Sequence, residues 1–95
     1  MKLIKETTVI ESEHAAKYLA TLCRHFARKV PATWNSERGS VIFPAGRTEF
    51  KLEGECLMIT CEAESEELLE AVKGVVSAHV EMFSRRETLK LNWAH

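Results

Sequence analysis

The sequence predicts an α+β fold: a two-layer sandwich in which an antiparallel sheet of about five strands carries two helices on one face. Three observations lead there. Two segments have helical period, one after Ser12 and one after Glu64. Between them lie short β-rich runs separated by glycine and proline turn signals. One further β-rich run precedes the first helix, which gives the order β-α-β-β-β-β-α with room for a last strand.

Leu3 to Ile10 is rich in β-branched residues and forms the first strand. Ser12 caps a helix that runs to about Lys29, with Ala15, Leu19, Leu22 and Phe26 as its buried stripe. Pro31 ends it. The next strands fall at Ala32-Thr33-Trp34, Ser40-Val41-Ile42-Phe43, Thr48-Glu49-Phe50-Lys51-Leu52 and Cys56-Leu57-Met58-Ile59-Thr60-Cys61. Arg38-Gly39, Pro44-Ala45-Gly46 and Glu53-Gly54 punctuate them at hairpin spacing. In the second helix, acids from Glu64 to Glu67 open the segment and Arg85-Arg86 close it, in line with the macrodipole. Leu89 to Trp93 alternates apolar and polar residues and suits a final strand.

The 95 residues make one domain, 1–95, of ordinary globular composition. A net charge of −1 gives no global attraction to nucleic acid or anionic lipid. The apolar run at the start is too short for a signal peptide, and nothing approaches the roughly 20 apolar residues of a spanning helix. Cys23, Cys56 and Cys61 are odd in number and lack CxxC pairing. These features predict a reduced, cytoplasmic protein without nucleic-acid or membrane partners.

The sharpest single residue is His79. Val72, Val75, Val76 and Phe83 surround it at the spacing of one helical face, so an imidazole sits within an apolar stripe. Such a group needs a hydrogen-bond partner, a metal or a ligand. Two readings stay open: a core histidine bonded to a backbone carbonyl or to Tyr18, and a ligand or metal pocket between helix and sheet. His25 lies at the border of the first helix's buried face, on the side of Tyr18, Leu22 and Lys29. Helices packed side by side run 8–10 Å apart, close enough for the two imidazoles to meet.

Other constellations are weaker. His14 and His25 are eleven residues apart, about 16 Å along a helix axis, and cannot share an ion. Cys56 and Cys61 have opposite parity on their strand. Two imidazoles fall short of the four ligands of a structural zinc site. There is no GxSxG, P-loop, GxGxxG or HExxH. A Cys61–His79 dyad can be drawn, but the inward parity of Cys61 favours an inert buried thiol. Lys17, Arg24 and Arg28 form a basic stripe on helix one that neighbouring acids dilute. Ile4, Ile42 and Met58 are left over once an inner sheet face is chosen, which makes the open face a candidate homodimer interface, with scattered surface hydrophobes as the alternative.

Three blocks carry a family resemblance: Tyr18 to Lys29, Gly39 to Gly46, and His79 with Phe83, Arg85-Arg86 and Leu91-Asn92-Trp93. Together they resemble the small bacterial family known as domain of unknown function 2218. One departure is Val80-Glu81-Met82, where the family pattern suggests a leucine and a further basic residue. The resemblance implies a bacterial α+β domain without an established activity and with an unknown cofactor. It also marks His25, Lys29 and His79, and it implies an association with iron–siderophore uptake and reduction. Three functions follow as expectations: a small-ligand or iron-related binding protein using His25, Lys29 and His79; an interaction module using the open sheet face; and a small enzyme with a histidine general base.

Overall fold

The computed structural model describes residues 3–84, 91, 93 and 94. Strand β1 (Ile4–Glu11) leads to helix α1 (Ala15–Phe26). Strands β2 (Ala32–Trp34), β3 (Arg38–Phe43), β4 (Gly46–Glu53) and β5 (Cys56–Ala63) follow, and helix α2 (Glu66–Phe83) comes last. The sheet order is β1-β5-β4-β3-β2, antiparallel throughout. Because α1 carries the chain from the β1 edge to the β2 edge, the meander can return strand by strand and close on β1. The predicted fold class and element order are those observed.

Strand parity explains the core. Ile10, Val41, Phe50, Leu57, Ile59 and Cys61 point to the helical layer, where they meet Leu19, Leu22 and Phe26 of α1 and Leu69, Val72, Val76 and Val80 of α2. The opposite face carries Lys5, Glu11, Arg38, Arg47, Glu49, Lys51, Glu53 and Glu62, with Val9, Ile42 and Met58 scattered among them. Glu62 is buried there under Arg47, with which it forms an ion pair. Ile4 sits on the helix side, because it pairs with Ala63. The open face is therefore largely charged with its hydrophobes scattered, the second of the two readings its leftover residues allowed.

Local signals differ from expectation in three places. Ser12 is not the N-cap: His14 holds that position, and the Ser12 hydroxyl accepts the His14 N–H at 3.0 Å from two residues back. The helix stops at Phe26, a turn short of Lys29. Arg38-Gly39 lies inside β3 rather than at a turn. The turn before it belongs to Asn35, whose Oδ1 accepts both the Glu37 and Arg38 N–H groups at 2.8 Å. Gly39 is instead required by packing, since a Cβ there would stand 2.5 Å from Cys23 Sγ. Gly54 does make a turn, with φ at +59°.

Ser65 caps α2 by accepting the Leu68 N–H at 3.2 Å, and Glu66 and Glu67 fill its first turn. Arg85-Arg86 lie outside the described residues, as do Leu89, Lys90 and Asn92 of the expected last strand. Ala94 does pair with Thr7 through two backbone bonds, of 2.8 and 2.9 Å, on the outer edge of β1. No helix among the described residues is long and apolar enough to cross a membrane.

Candidate functional site

The two helices converge at their C-terminal ends, and His25 and His79 meet there. Their ring centroids are 4.7 Å apart, with the planes tilted at 48°. Phe26 lies 4.8 Å from His79, and Phe83 stands edge-on to His25 at 5.4 Å. Phe43 backs Phe26 at 5.1 Å. Each position follows from helical rotation. The buried stripe of α2 is Leu69, Val72, Val76 and Val80, which leaves His79 at its border and Val75 41% exposed. Neither imidazole is a core residue, because both are half-buried.

His79 has the backbone partner that its sequence context required. Its Nδ1 lies 2.7 Å from the Val75 carbonyl one turn earlier. A carbonyl only accepts, so Nδ1 carries the proton and a neutral His79 keeps its lone pair on Nε2. Tyr18 is not that partner.

The His25 imidazole is held below the usual histidine range. Desolvation against its neighbours is the first cause, followed by repulsion from His79, Arg28 and Lys29. At neutral pH it is an uncharged ring beside cations. A shallow cavity of about 180 Å³ opens on its outer side, lined by Thr21, Arg24, His25, Arg28 and Phe83. Lys29 is exposed and influences His25 through its charge.

The sequence thus marks His25 and His79, which the fold brings together, and Lys29, which is exposed and outside the cavity lining. It missed Thr21, Arg24, Arg28 and Phe83 as lining groups. Arg24 and Arg28 stood out only as a surface stripe. Their four-residue spacing, with His25 between them and Thr21 three residues before Arg24, was the available signal.

The remaining candidates separate. His14 sits near Glu13, at 3.4 Å, and Tyr18 toward the start of α1. Cys61 is buried against Thr48 at 3.5 Å, and burial pushes its thiol up to about 11. Cys23 is pushed up to about 12 for the same reason. Both are inert as nucleophiles. Among the described residues no group of three or more histidine, cysteine, aspartate or glutamate side chains is arranged to hold a metal ion.

The family model described as "Uncharacterized protein conserved in bacteria (DUF2218)" matches residues 7–94. The fold is similar to that of PA4090 from Pseudomonas aeruginosa, determined by NMR, with a TM-score of 0.79 and 24% identity over 95% of this chain and 94% of that one. At that identity the likeness concerns the fold alone. No curated protein matches the chain.

Proposed function

The chain belongs to the DUF2218 family of uncharacterized bacterial proteins, and we propose that it binds a small anionic ligand at the junction of His25 and His79. One observation carries this reading: the uncharged His25 imidazole, 4.7 Å from the His79 ring, lines a cavity rimmed by Arg24 and Arg28. Guanidinium groups hold carboxylate or phosphate oxygens through charge-assisted, often bidentate bonds. Thr21 adds a hydroxyl, Phe83 supplies an apolar wall, and Lys29 adds positive potential nearby. The volume of about 180 Å³ suits a headgroup rather than a drug-sized molecule.

An anionic iron chelate is the ligand we favour within that class, since its carboxylates or phenolates would face the arginines. The lining offers two guanidinium groups, a hydroxyl and the His25 imidazole, each able to bond to an anion. The charged open sheet face lends little to the alternative of docking through that surface.

Calorimetric titration with citrate and with ferric citrate tests the proposal. Binding of either, lost in the Arg24→Ala/Arg28→Ala variant, supports it. The absence of heat at millimolar ligand from both compounds, with the protein folded, overturns it.

A further inference from the structure

A second face of α2 is unused by the core and by the histidine site. Leu68, Ala71, Val75, Ala78 and Met82 follow one another at alternating three- and four-residue steps, the spacing of a helix–helix seam. All five are exposed; Leu68, Val75 and Met82 are 40%, 41% and 45% accessible. The seam is about 21 Å long at 1.5 Å per residue. Gly74 flanks it in mid-helix, where glycine costs roughly 0.5–1 kcal/mol against alanine. A Cβ at that position would meet nothing within 4 Å, so nothing inside the fold requires a glycine there.

From this seam we infer that a second copy of the chain packs against α2, antiparallel, about a two-fold axis at Val75. Leu68 and Met82 stand seven residues either side of Val75, so an antiparallel copy sets Leu68 against the partner's Met82 and Val75 against itself, with the small Ala71 and Ala78 between them. Such self-complementarity is what an isologous contact requires. The two ends of the seam also match in shape. At the Leu68 end lies a largely apolar groove of about 470 Å³, walled by Leu3, Ile42, Phe43, Pro44 and Ala45, with Arg47, Glu62 and Glu64 also in its lining. At the other end Met82 projects as a flexible apolar side chain suited to filling it. Charge agrees with the antiparallel sense. Exposed Glu66, Glu67 and Glu70 crowd the first turns of α2, whereas at its last turn a single exposed acid, Glu81, is outnumbered by the exposed Arg24 and Arg28 that α1 sets beside Phe83. Antiparallel pairing brings the acidic end of each copy to the basic end of the other, and a parallel pairing would set like beside like.

Sedimentation equilibrium of the full chain, from micromolar to millimolar, tests the inference. The expected result is a shift from 10.8 kDa toward twice that mass. Val75→Glu should abolish the shift, and Glu66→Lys/Glu67→Lys should weaken self-association by at least tenfold. Both changes are at exposed positions, and a dispersed NMR spectrum checks that each variant is folded. Val9→Lys, on the open sheet face, should leave association unchanged. A wild-type mass that stays at 10.8 kDa throughout, or a dimer broken by Val9→Lys but not by Val75→Glu, overturns it. Leu68→Lys, at the seam end far from the histidines, should also give a monomer and should retain citrate binding, so this inference and the ligand proposal fail separately.

Discussion

The His25 and His79 rings lie 4.7 Å apart on two different helices, and His79 bears on the titration of His25. His79 is fixed by its bond to the Val75 carbonyl, and its proximity helps to keep His25 uncharged.

A titration consequence follows. The His25 pKa is lowered in the fold, so the unfolded chain takes up that proton more readily than the native one. His25 therefore costs stability as pH falls from about 6.5 toward its native midpoint, and costs nothing above that window. NMR titration should give a His25 midpoint below 6.5 in the native protein. Replacing His79 with leucine should raise it, and His25→Gln should flatten the fall in thermal midpoint across the same window.

The arginine rim should be additive to first order. Arg24→Ala and Arg28→Ala should each weaken citrate binding about tenfold, the loss of roughly 1.4 kcal/mol. Raising the salt from 0.05 to 0.5 M should weaken wild-type binding as well, because both guanidinium groups face solvent. Calorimetry measures both effects.

Gly39 is a packing position. A Cβ there would lie 2.5 Å from Cys23 Sγ and 3.1 Å from Leu19 Cδ1, both on α1. Gly39→Ala should destabilise the domain by about 1–3 kcal/mol in urea unfolding. Combining it with Cys23→Ala should cost less than the sum of the two single changes, since the nearest clash is gone.

Lys73 ties α2 to the sheet. Its ammonium is 2.8 Å from Glu6 on β1 and 2.6 Å from Glu70, and it lies 5.6 Å from the centre of the Trp93 ring. Its side chain and that of Glu6 are each only 14% exposed. Lys73→Met should cost about 1.5–3 kcal/mol, the range for hydrogen bonds to charged groups. The Lys73 pKa is raised, chiefly by Glu6 and then Glu70, so this contribution is present below about 10.5 and fades as pH rises through the higher native value.

The thiols should react unequally. Cys56 is half-buried on the open face, whereas Cys23 and Cys61 are sealed in the core. A native-state thiol assay at pH 8 should modify Cys56 first, and the other two only as fast as the protein opens.

Much of the fold was legible because strand parity and turn chemistry act locally. Leu57, Ile59 and Cys61 announced the inner face of β5, and Gly54 its turn. What escaped depended on tertiary choice. α2 carries two apolar stripes, Leu69-Val72-Val76-Val80 and Leu68-Val75-Met82, and periodicity alone does not say which one the sheet covers. The expected stripe mixed the two, which set His79 in a core it only borders. The side that Ile4 faces is not legible locally, because its pairing with Ala63 depends on a register 59 residues away in sequence. The Asn35 turn carries no glycine or proline signal, whereas Gly39, which resembles one, serves to admit Cys23. The convergence of His25 and His79 was anticipated as a distance, but Arg24 and Arg28 became part of the site only once the end of α2 was placed beside them.

The most direct test of the central claim is a long-range 1H–15N spectrum of the histidine side chains at pH 7.5, recorded with and without citrate. The account predicts that the His25 and His79 ring signals move together while those of His14 stay fixed, and that Arg24→Ala/Arg28→Ala abolishes the change. Signals from His25 and His79 that remain in place at saturating citrate would contradict it.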